Sequence, residues 1–140
     1  SSVMKVKAAS QTKNTDAVIA DDDTLVFAVG ASETWAFRIT FFYTQSNNSG
    51  NLDVTMAGPA GCTIAFNVNN TQIPVSSIGN AGATEVLIDG TAGVTYMVEI
   101  TGTIINSTTP GNCAFRWAQN VSHASNLVVL GGSSLIAVKS

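Results

Sequence analysis

The sequence has little charge, and its few charged residues do not cluster. They make up 11% of the chain, against about 25% in typical globular domains, and the net charge at pH 7 is −3. A groove that follows nucleic-acid phosphates needs several neighbouring cations. The six cations here are spread over the whole chain, so we expect no nucleic-acid partner. They are Lys5, Lys7, Lys13, Arg38, Arg116 and Lys139.

Long apolar runs are also missing. No stretch approaches the roughly 20 residues of a transmembrane helix, and residues 1–5 lack the apolar segment of a signal peptide. We therefore expect neither a membrane partner nor a secretion signal in this sequence. With 140 residues, no internal repeat and no linker-like segment, the sequence predicts a single domain spanning residues 1–140.

Residues typical of catalysis or metal binding are few. His123 is the only histidine and no Gly-x-Ser-x-Gly motif occurs, so we predict a solvated loop position for His123 and no enzyme activity. Asp21, Asp22 and Asp23 form the one acidic run. Adjacent residues of an extended chain point to opposite sides, which favours a charged turn at a sheet edge over a calcium site. We expect no cofactor and no bound metal.

What the sequence does contain is alternation of apolar and polar residues with a period of two. Such alternation is typical of strands that bury one face. Glycine-rich turns separate the alternating runs, and no segment has an apolar period of 3.6. The sequence therefore predicts an all-β protein, an antiparallel β-sandwich or jelly-roll of about ten strands with little or no helix. The two clearest inward-facing runs are Trp35, Phe37, Ile39, Phe41 and Tyr43, and Val94, Tyr96, Val98, Ile100 and Ile104.

Eleven segments fit strands, and the first two could form one bent strand. For the polar N-terminal segment 1–15, two interpretations remain open: an arm that reaches a neighbouring subunit, or an edge strand. The predicted strands are residues 3–8, 16–19, 24–29, 33–44, 51–56, 62–68, 84–88, 94–105, 112–120, 126–130 and 134–139.

Two sets of residues lie in phase with the buried faces. The two cysteines, Cys62 and Cys113, are expected to be either inert core thiols or a disulfide between facing strands. Four aromatic residues are expected to pack in the core rather than to form a sugar-stacking platform. They are Trp35, Tyr43, Tyr96 and Trp117.

The reverse face of the two long strands is unusually poor in charge for a solvated surface. Mean hydropathy is also positive, at +0.27. We therefore predict that other copies of this chain cover that face in a closed symmetric assembly, most economically a homotrimer. The predicted interface residues are Arg38, Thr40, Phe42, Met97, Glu99 and Thr101.

Two segments carry a resemblance to a known family. Residues 22–38, DDTLVFAVGASETWAFR, are similar to the pattern D-x-x-L-x-F-x-v-x-A-x-E-T-W-x-F. Residues 115–120, FRWAQN, followed by residues 130–136, LGGSSLI, resemble the ending W-A-Q-N … L-x-G-S-x-L. Both patterns occur, in this order and spacing, in a family of small, mostly uncharacterised proteins from tailed-bacteriophage genomes. Residues 47–83 have no counterpart in it.

The resemblance implies a virion component on the particle surface. By analogy with β-sandwich virion proteins, it implies a capsid decoration, or cement, protein whose partners are copies of itself and the major capsid protein or another virion protein. The alternative is a tail-fibre, spike or head-fibre module that binds a host-surface glycan.

Overall fold

The computed structural model describes residues 1–69, 75–79 and 85–140, and in these ranges the chain forms twelve β-strands and no helix. The all-β prediction is confirmed. The strands are β1 (Ser2–Val6), β2 (Gln11–Lys13), β3 (Ala20–Val29), β4 (Thr34–Gln45), β5 (Leu52–Ala57), β6 (Thr63–Asn69), β7 (Val75–Gly79), β8 (Val86–Ile88), β9 (Tyr96–Ile105), β10 (Gly111–Gln119), β11 (Leu127–Val129) and β12 (Ser134–Lys139).

The larger sheet has eight strands, and every pair in it is antiparallel. Six of them follow the order β1-β12-β4-β9-β6-β7. Strand β4 is long enough to pair with two partners on one side: residues 35–40 pair with β12 and residues 43–45 pair with β11. Strand β2 pairs with the other side of β11. On its opposite side, β4 pairs with β9 from Thr34 to Tyr43.

The smaller sheet has four antiparallel strands in the order β3-β10-β5-β8. The pairing of β10 with β3 is interrupted by an irregularity, whereas its pairing with β5 is continuous from Ala114 to Gln119. The first strand of the larger sheet also contacts β3, so the β1 edge of that sheet lies beside the smaller one.

The core lies between the two sheets, as in a β-sandwich. Phe41 of the larger sheet packs against Phe115 of the smaller one, with ring centroids 4.7 Å apart and the rings tilted by 32°. Phe27 of β3 makes similar contacts with Trp35 and Phe37 of β4. The predicted inward-facing run of β4 is at most 5% exposed throughout, which confirms the alternation as the signal of burial.

The predicted strand at residues 16–19 is wrong. The oxygen Oδ1 of Asp16 accepts a hydrogen bond from the backbone N–H of Val18, a local turn that competes with strand pairing. Strand β3 begins at Ala20 and thus includes the three aspartates, which do not form a turn before the strand. Strands β2 and β7 were not predicted. Residue 84, the predicted start of the strand that became β8, lies outside the described residues.

For residues 1–15, the structure has paired edge strands. Strand β1 pairs with β12 from Ser2 to Val6, and β2 pairs with β11. Within the described ranges, no helix has the length and apolar character needed to cross a membrane.

Candidate functional site

The outer face of the larger sheet brings together all six predicted interface residues. They are direct neighbours across β4 and β9, because the register of the two strands pairs them two by two. Arg38, Met97 and Thr101 are exposed, whereas the other three are half-buried. The pairs are Arg38 with Thr101, Thr40 with Glu99, and Phe42 with Met97.

This outer face continues as an apolar surface over β12 and β1. Val138 lies opposite Ala36 of β4, and Ile136 lies opposite both Arg38 and Met4 of β1. The exposed fractions are high for aliphatic residues: 70% for Met4 and 50% for Val138. An open depression of about 310 Å³ lies between these strands and is lined by Ala36, Phe37, Arg38, Thr101, Ile136 and Val138. Contiguous exposed apolar surface of this kind is typical of protein-binding faces.

Two opposite charges on the outer face are not paired with each other. Arg38 and Glu99 occupy diagonal positions on β4 and β9. Among the described residues, neither side chain forms an ion pair or a hydrogen bond, whereas Arg116 pairs with Asp21 at 2.7 Å on the smaller sheet. The outer face therefore offers one free cation and one free anion to a partner.

A second polar site, inside the protein, was not predicted. The side chains of Lys7 and Asp22 are completely buried, and Lys7 Nζ lies 3.0 Å from both carboxylate oxygens of Asp22. The same nitrogen donates to Oδ1 of Asp23 at 2.5 Å and to Oε1 of Gln11 at 3.1 Å. The ammonium group is thus surrounded by two carboxylates and an amide oxygen.

The irregularity in β3 positions Asp22 in this buried cluster. The ladder between β10 and β3 is interrupted opposite residues 22–25. There the backbone N–H groups of Thr24 and Leu25 donate to Oδ1 of Asp22 at 2.9 Å each, so the aspartate satisfies donors that the ladder leaves unpaired. From β10, the indole Nε1–H of Trp117 donates to Oδ2 at 3.0 Å.

A second buried lysine lies beside Trp117. Lys13 of β2 donates from Nζ to the backbone carbonyl oxygen of Trp117, and the nitrogen lies 4.6 Å from the centroid of the indole ring. This is a cation–π contact. Burial lowers the pKa of Lys13, and the nearby Asp16 and Asp22 oppose that effect.

One signal for this cluster was present in the sequence. In a chain with little charge, three successive aspartates are unusual, and Lys7 stands in phase with Val3, which packs against the core. The contacts of Asp22 with Lys7 and with Trp117 join residues that are 15 and 95 positions apart. Alternation along one strand therefore does not reveal them.

His123 is half-buried and not fully solvated as predicted. Its Nδ1 lies 2.8 Å from Oγ of Ser125, and its backbone N–H donates to Oε1 of Gln119. Among the described residues, its side chain contacts this serine and no carboxylate.

The cysteines are present as two buried free thiols, one of the two arrangements that the sequence left open. Burial and the neighbouring Cys62 raise the pKa of the Cys113 thiol. A thiol in this environment is a poor nucleophile.

Three of the four aromatic residues pack in the core as expected. Trp35, Tyr43 and Trp117 are at most 5% exposed. Tyr96 is half-buried and stacks on Tyr43 with ring centroids 5.4 Å apart.

The described residues contain no group of three or more His, Cys, Asp or Glu side chains that could hold a metal ion. The chain matches no protein-family model, no curated protein and no solved structure.

Proposed function

We propose that this protein is a structural component of a bacteriophage particle, a capsid decoration protein that binds the shell surface as a symmetric oligomer. The outer face of the larger sheet carries the proposal. Its exposed apolar residues and its free Arg38 and Glu99 form a surface suited to binding protein. The assignment to a phage particle is supported by the resemblance of residues 22–38, 115–120 and 130–136 to a family from tailed-phage genomes.

The size of the outer face is adequate for a stable interface. Five neighbouring strands, β1, β12, β4, β9 and β6, span about 24 Å at about 4.8 Å per strand. Along the paired length of β4 and β9, the face extends for about 34 Å at about 3.4 Å per residue. Because β1, β12 and β6 are only 5, 6 and 7 residues long, the planar area is about 600 Å², at the lower end of the roughly 600–1,000 Å² that each partner buries in a standard protein interface.

The chemistry of the face favours a second copy of this chain as one partner. A cation and an anion on the same face are complementary to their own image, because Arg38 of one subunit can approach Glu99 of another. The apolar residues of β1 and β12 supply most of the binding free energy, at about 25 cal/mol per Å² of apolar surface removed from water. In a closed trimeric ring, Arg38 of each subunit faces Glu99 of the next, and other surfaces remain free to contact the shell.

Light scattering on the purified protein tests self-association. We expect the mass of a homotrimer, and a monomer at every concentration would contradict the proposed oligomer. The mass of a dimer would still support self-association and would change only the proposed number of subunits.

Counting copies in purified particles tests the location. A decoration protein is present in many copies, in proportion to the capsid protein, whereas a fibre or spike module is present in few. A low copy number, together with binding on a glycan array, would favour the fibre alternative. Absence from the particle would overturn the proposal.

A further inference from the structure

The buried lysine–aspartate cluster has the composition of a reactive site. The amine of Lys7, Nζ, contacts the carboxyl group of Asp22. The same nitrogen also contacts a second carboxyl group, that of Asp23. Equal distances of 3.0 Å from Nζ to the two oxygens of Asp22 place the nitrogen on the midline of that carboxyl group. Cγ lies behind these two oxygens, so attack requires the carboxyl group to turn about its Cβ–Cγ bond and present the face of Cγ to the amine.

We propose that Lys7 and Asp22 condense to an intramolecular amide bond, which links the residue after β1 covalently to β3. The nitrogen Nζ forms a bond with Cγ of Asp22, and the bond from Cγ to one carboxyl oxygen breaks. An ammonium and a carboxylate become a neutral amide and one water molecule, so atoms and charge balance without an oxidant or any other reactant.

Asp23 is positioned to move the proton. Its Oδ1 lies 2.5 Å from Lys7 Nζ, and its side chain is 54% exposed. The hydrogen bond from Lys7 lowers the pKa of Asp23, so an ionised carboxylate is available as the base. Asp23 carries two protons in turn from Nζ to the departing oxygen of Asp22. The first transfer frees the lone pair for attack, and the second takes the remaining extra proton from the nitrogen of the tetrahedral intermediate, so that the oxygen leaves as water. The exposed side of Asp23 also gives the released water a route to solvent.

The other contacts of Asp22 stabilise the charge that develops on oxygen during the attack. The backbone N–H groups of Thr24 and Leu25 donate to Oδ1, and the indole N–H of Trp117 donates to Oδ2. Fixed donors of this kind stabilise the tetrahedral intermediate of acyl transfer. After the reaction, the remaining oxygen is an amide carbonyl that still accepts from its donors.

Burial and proximity both favour condensation at this position. In bulk water an amine and a carboxylate do not condense to any useful extent, but neighbours held with their reacting orbitals aligned react with effective molarities of about 10⁵–10⁸ M. An ion pair removed from water also carries a desolvation cost, which the neutral amide does not. No other lysine that contacts a carboxylate in the described chain is buried in this way: Lys139 lies 3.4 Å from Glu33, and both side chains are partly exposed.

Intact-protein mass spectrometry under denaturing conditions tests the bond. We expect the folded wild-type protein, incubated at neutral pH, to be lighter than its sequence mass by one water molecule. The variant Lys7→Arg keeps a cation but has no nucleophilic amine, and should have its full sequence mass. A wild-type protein that retains its full mass would overturn the proposal.

Tryptic digestion distinguishes the bond from loss of water elsewhere, such as cyclisation at Asp89–Gly90. An amide at Lys7 blocks cleavage there, so residues 6–13 should remain joined to residues 14–38 in one branched peptide. Separate linear peptides with the water lost from another residue would overturn the proposal. In Asp23→Asn, the ion pair of Lys7 with Asp22 is retained but the base is lost. We expect bond formation at least tenfold slower, and an unchanged rate would exclude the role of Asp23.

The result is independent of the proposed function. The linkage is internal to one chain, so a monomeric protein that contains it would contradict the oligomer alone. An oligomer without the linkage would contradict this inference alone.

Discussion

Trp117 and Asp22 are joined inside the core by a hydrogen bond of 3.0 Å, with the tryptophan completely buried and the aspartate 2% exposed. The bond connects β10 with the irregular part of β3, where the ladder between the two strands is interrupted. The indole N–H therefore connects the two strands where backbone hydrogen bonds between them are missing.

Substitution of Trp117 tests how much this bond stabilises the fold. Trp117→Phe retains an aromatic ring but removes the donor to Asp22. A hydrogen bond to a buried acceptor of this kind is worth about 1–3 kcal/mol when the partner is left unsatisfied. Trp35→Phe is the matched control, because Trp35 is also buried but donates to the partly exposed Glu33. In chemical denaturation, Trp117→Phe should lower the unfolding free energy by about 1–3 kcal/mol more than Trp35→Phe does. Equal losses would contradict the prediction.

A pair of carboxyl groups on the smaller sheet should make stability depend on pH. Burial, the charge of Glu85 and a hydrogen bond with Glu85 raise the pKa of Asp53 from 3.8 to about 6. Between these values the unfolded chain loses the proton that the folded protein keeps, so the unfolding free energy falls as pH rises. The expected fall is about 1 kcal/mol after allowance for solvent screening.

Asp53→Asn should remove this part of the pH dependence. The unfolding free energy of wild type relative to the variant should decrease from about pH 4 to about pH 6 and be constant above. Asp89→Asn, at an exposed position after β8, is the control and should keep the wild-type slope. A difference between wild type and Asp53→Asn that does not change with pH would contradict the prediction.

The sequence predicts which residues of the long strands face the core, because alternate side chains of a strand point to opposite sides. It also placed the six outer-face residues on one surface for the same reason. Short strands escape this reasoning: Gln11–Lys13 is three residues long and is defined by its pairing with β11, more than 110 positions away. Periodicity needs a longer run to be visible.

The buried cluster was missed for a different physical reason. Lysine and aspartate are rarely buried unless they are paired, so each residue taken alone favours an exposed position. The pairing of Lys7 with Asp22 depends on the irregular pairing of β3 with β10 and on the contact of β1 with β3. Neither contact has a local signature in the sequence.

The apolar part of the outer face should contribute strongly to self-association. Val138→Lys places a charge on β12 at a position that is 50% exposed in the single chain. Burial of a valine is worth about 1.5 kcal/mol or more, so the dissociation constant of the oligomer should rise at least about tenfold. Val121→Lys changes an equally apolar residue, 61% exposed in the loop after β10, and is the control. Sedimentation equilibrium measures both. The same oligomer stability in the two variants would argue against this surface as the interface.

The two free charges of the outer face provide the sharpest test of which surface self-associates. Arg38→Glu leaves two anions on the face, so copies that meet there should repel each other and dissociate more readily. The double variant Arg38→Glu with Glu99→Arg exchanges the charges and restores complementarity, so association should recover toward the wild-type level. The effect of the single variant should shrink with added salt, because the screening length falls from about 10 Å at 0.1 M to about 3 Å at 1 M. If the double variant dissociates as readily as the single one, Arg38 and Glu99 do not meet across subunits. The interface must then lie on another surface of the sandwich.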